Sequence, residues 1–106
     1  MTTFDDREKA EEARYKHDQE FQFKVMARRN KLLGMWAAEK MGMATAEAEA
    51  YAKEVVISDF DEPGDDDVLR KVLGDLTKNS VTCDQHSLRQ EMDRLLGVAT
   101  EQVKAD

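Results

Sequence analysis

Apolar residues recur at steps of three and four along most of the chain. Steps of three and four place side chains on one face of a helix, whereas alternation is typical of a strand. One proline and five glycines leave the apolar segments largely unbroken. The sequence therefore predicts an all-α protein, a small four-helix bundle with short connections.

The first predicted helix is long. Between Phe4 and Met41 nothing breaks a helix except Gly34, which a helix tolerates, and Gly42 follows where a left-handed C-cap is expected. The second half of this helix has an apolar stripe, which consists of Phe21, Val25, Met26, Leu32, Leu33, Trp36, Ala37 and Met41.

Three shorter helices are predicted after it. Their expected N-caps are Thr45, Asp65 and Thr82, the last in a capping box with Gln85, and Pro63 ends the second helix. The residues expected to face the core are Ala48, Tyr51, Ala52, Val55, Leu69, Val72, Leu73, Leu76, Leu88, Met92, Leu95, Leu96, Ala99 and Val103.

Three glycines, Gly34, Gly74 and Gly97, fall inside predicted helices, where glycine costs about 1 kcal/mol relative to alanine. We expect each to mark a close approach of neighbouring backbones. The alternative is a bundle loosened so that it can rearrange on a partner.

Length and charge limit the function. A chain of 106 residues with a net charge of −7 is expected to form one domain and not to bind nucleic acid, which requires excess Lys and Arg. It has no apolar run of the roughly 20 residues that span a bilayer, and MTTFDDREK lacks the features of a signal peptide. These features predict a cytoplasmic protein without membrane insertion. The only cysteine, Cys83, is expected to be a small buried or half-buried residue.

Residues 1–20 differ from the rest, because FDDREKAEEARYKHDQE has eleven charged residues among seventeen and little to bury. We divide the chain into this charged arm, residues 1–20, and a bundle domain, residues 21–106. Isolated helices of this length are marginal in water, so we expect the free arm to be frayed or partly disordered. Phe4 and Tyr15 are eleven residues apart and so share a helical face, which suits an arm that folds into a partner's groove. A solvated extension without a partner fits the sequence equally well.

Two charged clusters are candidate ligand sites. The acidic loop, residues 59–67, has six carboxylates, but Pro63 and Arg70 occupy positions that an EF-hand reserves for ligands, so we predict no dedicated metal site. A basic cluster of Lys24, Arg28, Arg29 and Lys31 is most simply a solvated helix face. The alternatives are that it faces an acidic block of this chain or binds an anion such as a nucleotide phosphate.

No nucleophile elbow or glycine-rich phosphate loop is present, so the sequence does not predict an enzyme. Four blocks, FDDREKAEEARYKHDQE, ARRNKLLGMWAAEKMG, YAKEVV and DFDEPGDDDVLRKV, closely resemble the alphaproteobacterial zeta subunit of the F-type ATP synthase, a small inhibitor protein. The similarity runs from about Thr3 to Val103. It implies a four-helix bundle whose arm enters a catalytic interface of the synthase and stops rotation in the ATP-hydrolysing direction.

The resemblance also implies which residues bind the synthase. Carried over by position, they are Phe4, Asp5, Asp6, Arg7, Glu8, Lys9, Ala10, Arg14 and Tyr15. Many family members have Phe where this chain has Glu11, which lies between Phe4 and Tyr15 on the same face. Burying an unpaired carboxylate is costly, so Glu11 is expected to weaken the inhibition unless a basic residue of the synthase meets it.

The resemblance implies no required cofactor, and some family members bind nucleotides weakly, although no motif here locates such a site. We expect the free protein to be monomeric and to lie at the cytoplasmic face of the inner membrane when it is bound to the synthase. Two alternatives remain: a bundle that senses a nucleotide or a metal, and an interaction protein whose inhibitory arm is weakened.

Overall fold

The computed structural model describes the backbone of residues 2–61 and 64–106, and the side chains of residues 18–60 and 64–106. The described backbone forms four helices, which confirms the all-α four-helix bundle. They are α1 (Thr2–Lys40), α2 (Thr45–Asp61), α3 (Asp65–Lys78) and α4 (Gln85–Ala105). The prediction that α1 continues without interruption from the arm into the bundle is confirmed.

Helix α1 packs along both α2 and α4, and α3 closes the fourth side between them. The main core is aliphatic and is centred on Leu33, Val55, Val72, Leu76 and Leu88, each with an exposed fraction of zero. A second, smaller core of Val25, Ala99 and Val103 joins α1 to the end of α4. No helix among the described residues combines the length and the apolar composition needed to cross a membrane.

The predicted core faces are largely confirmed. All four residues predicted for α2 are buried, as are most of those predicted for α3 and α4, and Leu73 and Leu96 are half-buried. Along α1 the stripe is buried unevenly. Val25, Leu33 and Ala37 are buried, whereas the other residues of the stripe are half-buried.

Helices α1 and α2 touch backbone to backbone at Gly34. A Cβ at this position would lie 2.6 Å from the Cα of Ala52, closer than packed atoms can approach. The predicted close approach is therefore confirmed for Gly34. It is wrong for Gly74 and Gly97, because nothing lies within 4 Å of a Cβ placed there. Gly42 has a φ of 73°, which confirms the left-handed turn after α1.

The predicted N-caps of α2 and α3 are wrong by one residue. The amide of Ala48 bonds to the carbonyl of Ala44 (2.8 Å), so Thr45 already belongs to the helix and cannot cap it. Before α3, Gly64 adopts a φ of 138° that favours glycine. Asp65 is therefore the first residue of α3 and its carboxylate is available to another partner.

The predicted capping box before α4 is also wrong. Asp84 caps this helix, and its Oδ1 accepts a hydrogen bond from the Ser87 amide at 2.7 Å. Thr82 lies two residues before Asp84, in a non-helical segment. The neighbours of Thr82, Val81 and Cys83, pack against the main core. Cys83 is half-buried, as expected.

Candidate functional site

The residues that the sequence assigns to partner binding lie near the start of α1. Phe4, Asp5, Asp6, Arg7, Glu8, Lys9, Ala10, Glu11, Arg14 and Tyr15 all fall within Thr2–Lys40, but their side chains lie outside the described residues. Their roles therefore stay predictions. The described side chains show what surrounds the root of the arm.

Helix α1 is surrounded by solvent where the arm meets the bundle. Asp18, Gln19 and Glu20 are all exposed, although consecutive positions point in different directions around a helix. Phe21 is the first half-buried residue among the described side chains of α1, and Val25 is the first fully buried one. No bundle helix therefore covers α1 between residues 18 and 20.

A buried polar network holds the bundle together just beyond this point. Arg29 is 1% exposed, and its guanidinium donates to Oδ1 of Asn30 (2.9 Å) and to Oδ1 of Asp65 (2.8 Å). Asn30, equally buried, donates to Oδ2 of Asp59 at 3.0 Å. Oδ1 of Asp59 in turn accepts from the Gly64 amide. We call Arg29, Asn30, Asp59 and Asp65 the arginine network.

The arginine network joins α1 to the end of α2 and to the start of α3. A buried charge is tolerated only when it is paired and hydrogen-bonded, and among the described side chains no buried polar atom lacks a partner. The two network residues on α1, Arg29 and Asn30, are buried, whereas Asp65 on α3 is half exposed. The network therefore fixes Asp59 and Asp65 against α1, nine to ten residues after the end of the arm.

The basic cluster is divided between two environments. Lys24 and Lys31 are exposed, as the simplest interpretation expects. Arg28 donates to Gln102 (3.0 Å) and to Asp106 (2.7 Å) at the end of α4. For Arg29 the solvated interpretation is wrong, because its position between Val25 and Leu33 on the core face of α1 buries it, and it pairs with Asp65.

The described part of the acidic loop is engaged in contacts within the protein. Asp66 accepts from Arg89 on α4 at 2.7 Å, and this hydrogen bond holds the pKa of the Asp66 carboxyl below its usual range. Asp67 pairs with Arg70 one turn along α3. Within the described residues, no three His, Cys, Asp or Glu side chains are grouped as a metal site requires.

Two exposed aromatic rings lie next to the arginine network. Phe23 on α1 and Phe60 on α2 are 56% and 55% exposed, and their ring centroids are 5.2 Å apart. Ile57, one turn before Phe60 on α2, is also 55% exposed. We call Phe23, Ile57 and Phe60 the aromatic patch.

An open groove runs along the other side of Phe23. It occupies about 820 Å³ between α1, Val56 of α2 and the last residues of α4. Lys24, Lys31 and Lys104 lie on it together with Phe21 and Phe23. Two carboxylates, those of Glu20 and Asp106, also line it, and Asp106 is paired with Arg28. Cationic and aromatic groups thus face the same open space.

The whole of the arm and most of the bundle domain can be matched to a known family. The family model described as "ATPase inhibitor subunit zeta" matches residues 1–102. The chain belongs to this family. The family is one of inhibitory, regulatory subunits.

A protein solved by solution NMR has the same fold as this zeta subunit. The two are 48% identical, the alignment covers 79% of this chain and 95% of the other, and the TM-score is 0.70. A comparison with curated proteins finds no match.

Sequence reasoning missed both the arginine network and the aromatic patch, although each has a signal in the sequence. Arg29 lies four residues after Val25 and four before Leu33, so it interrupts an apolar face at a position that the helical period buries. Phe23 and Phe60 lie off the apolar stripes of their helices. A polar residue on a core face and an aromatic residue off one are both signs of a specific contact.

Proposed function

We propose that this zeta subunit inhibits ATP hydrolysis by the F-type ATP synthase by inserting the arm, residues 1–20, into a catalytic interface. Membership of the inhibitor family supports the inhibitory role. The observation that supports the use of the arm is the length of α1, which has 39 residues whereas α4, the next longest helix, has 21. The bundle has nothing to cover α1 at residues 18–20, so this part of the helix is available to a partner.

The mechanism is insertion of the helical arm. The arm enters the groove, where Phe4 and Tyr15 fill apolar pockets and the charged residues between them provide specificity. The bundle acts as a stop, because the protein measures 24 by 23 Å across its long axis, whereas one helix with its side chains is only about 10–12 Å wide. The arm can therefore enter a groove that excludes the bundle.

The arginine network sets the direction of the inserted helix in this mechanism. Arg29 and Asn30 lie nine and ten residues after Glu20, and their bonds to Asp59 and Asp65 fix α1 relative to α2 and α3. A helix fixed at its root loses less freedom when its free end binds. No bond is made or broken by the zeta subunit, which acts as a monomer in the cytoplasm and, when bound, at the cytoplasmic face of the inner membrane.

The anchoring role of the arm can be tested with two substitutions. Phe4→Ser combined with Tyr15→Ser removes both apolar anchors and is expected to raise the concentration for half-inhibition of the cognate synthase at least tenfold. Ala46→Ser combined with Lys53→Ser, at exposed positions of α2 away from the arm, is the matched control and should leave inhibition unchanged. Inhibition that survives the double substitution would show that the arm does not act through these anchors.

A single substitution tests the interpretation of Glu11. Glu11→Phe completes the apolar face between Phe4 and Tyr15 and removes a carboxylate whose burial is costly. We expect stronger inhibition of ATP hydrolysis by the cognate synthase. The control is Glu12→Phe, one position around the helix, which should not strengthen it. An unchanged or weaker inhibition by Glu11→Phe contradicts this role.

Weak nucleotide binding is a second candidate function, supported by the groove lined by Lys24, Lys31 and Lys104. Cationic side chains beside aromatic rings suit a phosphate and a base. Titration calorimetry with ADP should detect binding that Lys24→Gln combined with Lys31→Gln removes, whereas Lys53→Gln on the outer face of α2 should retain it. If both variants retain the same affinity, this groove is not the site.

A further inference from the structure

The aromatic patch is an unusual surface for a small protein. Three large apolar side chains are more than half exposed within the described residues, 18–60 and 64–106. They are Phe23, Ile57 and Phe60. They are contiguous, since the two rings touch across α1 and α2 and Ile57 lies one turn from Phe60. Single exposed apolar residues are ordinary, whereas a contiguous group marks an interaction site.

The patch is built on a fixed base. Beside it lies a groove of about 330 Å³, which is lined by Met26, Ala27 and Val56 between the two rings and the arginine network. The hydrogen bond from Asn30 to Asp59 ties α1 to α2 one residue before Phe60. The aromatic rings are thus presented by two helices that cannot separate freely, which lowers the entropy lost when a partner binds.

The patch is also close to the arm. Phe23 lies three residues after the last residue of the arm and eight after Tyr15 on the same helix, which corresponds to about 5 Å and about 12 Å along the helix axis. A protein that encloses the arm as far as Tyr15 therefore has surface within reach of Phe23 and Phe60. No rearrangement of the bundle is needed for both contacts to form.

The size of the patch argues against a second copy of this chain as its partner. Three side chains that are slightly more than half exposed offer about 300 Å² of apolar surface, whereas a stable complex buries roughly 800 Å² on each partner. Such a small contact is useful when another contact holds the same two proteins together, because the second binding step is then intramolecular.

We propose that the aromatic patch is a second docking site for the protein that holds the arm, contacting an apolar surface on the catalytic part of the F-type ATP synthase next to the interface that the arm enters. This inference rests on the proposed function of the arm. The patch slows the dissociation of the inhibitor, and the arm blocks catalysis.

The test measures binding of full-length protein to the cognate catalytic complex, with association and dissociation rates followed separately. Phe23→Gln combined with Phe60→Gln makes the patch polar at exposed positions and uses a residue that favours helix. We expect about tenfold weaker binding, mostly through faster dissociation. Ala46→Gln, at an exposed position near the other end of α2, is the matched control and should bind like the unchanged protein.

The outcomes separate this inference from the proposed function. If Phe4→Ser with Tyr15→Ser abolishes binding while the patch variant binds within twofold of the unchanged protein, the second docking site is wrong and the arm function stands. If neither variant changes binding, both are wrong. If sedimentation shows a dimer of the unchanged protein that Phe60→Gln converts to monomer, the patch is a self-interface and the inference is overturned. A thermal unfolding curve for each variant confirms that the fold is retained.

Discussion

Near Gly34, α1 and α2 touch backbone to backbone, whereas near Arg29 the same helices are joined through polar side chains. We call residues 33–55 the packed end of this helix pair, and residues 21–30 and 56–60, with Asp65, the polar end. The packed end adjoins the main aliphatic core. The polar end has the arginine network, a small second core and the exposed aromatic patch.

The difference indicates that the two ends of the helix pair have different roles, stabilising the fold at one end and positioning exposed side chains at the other. Close packing stabilises the fold but offers no groups to a partner, because its side chains are already buried. Hydrogen bonds and ion pairs contribute less net stability, but they fix the relative positions of helices where apolar side chains remain exposed. The stabilising contacts are thus concentrated away from the surface from which the arm extends.

The largest expected effect comes from breaking the packed end. Gly34→Ala places a Cβ against the backbone of Ala52, which cannot move aside without separating α1 from α2. We expect a loss of about 2 kcal/mol in the free energy of unfolding after the gain in helix propensity is included. Chemical denaturation measures it. An unchanged midpoint would show that the two helices are not held as closely as described.

The next effect tests the polar end. Arg29→Met replaces the guanidinium with an apolar chain of similar length and leaves the buried Oδ1 of Asn30 without its donor. The expected loss is about 1–2 kcal/mol, since Asp65 is half exposed and regains water. Arg94→Met, which breaks the exposed pair with Glu91, is the control and should change stability very little. A larger loss in the free energy of unfolding than that of Gly34→Ala would show that the polar end contributes more stability than the packed end.

A stabilising change is expected on the outer surface, away from both ends. Gly74→Ala and Gly97→Ala place a Cβ in open space on exposed faces of α3 and α4. Each should raise the free energy of unfolding by about 0.5–1 kcal/mol, opposite in sign to Gly34→Ala. Destabilisation by either would show that its Cβ meets a neighbouring helix, as the sequence analysis expected of a close approach.

The smallest effect is the pH dependence of the cap of α4. The backbone and side chain of Ser87 hold the pKa of Asp84 below its usual range, so the ionised carboxylate favours the folded state. This contribution is fully present above the ordinary pKa of Asp and is lost as the pH falls through the lowered value. Asp84→Asn keeps an oxygen that accepts the hydrogen bond from Ser87 but has no carboxyl group to protonate, so its free energy of unfolding should fall less at acid pH. Asp84→Ala should lower the free energy of unfolding at neutral pH. Identical acid profiles for the original protein and Asp84→Asn would contradict the cap.

Much of the packed end could be predicted from the sequence. Apolar spacing identified the helices and the core face of α2, and Gly42 identified the end of α1, because these features depend on local periodicity and backbone preference. The failed N-caps at Thr45, Asp65 and Thr82 depend instead on shifts of one or two residues. Such shifts are decided by tertiary contacts, such as that of Asp65 with Arg29.

The polar end could not be predicted in the same way. Arg29 looked like part of a solvated cluster, since its partner Asp65 is 36 residues away and no local pattern joins them. Phe23 and Phe60 are likewise on different helices, and their contact exists only in the folded bundle. The roles of residues 4–15 came from the family resemblance and stay predictions.

The most direct test of the account compares the hydrolytic activity of the cognate synthase with the full-length protein and with a variant that lacks residues 1–19. We predict that the full-length protein inhibits ATP hydrolysis saturably and that the shortened variant does not, with the same unfolding temperature for both. Equal inhibition by the two proteins would contradict the central claim, because it would place the inhibitory contact in the bundle and not in the arm.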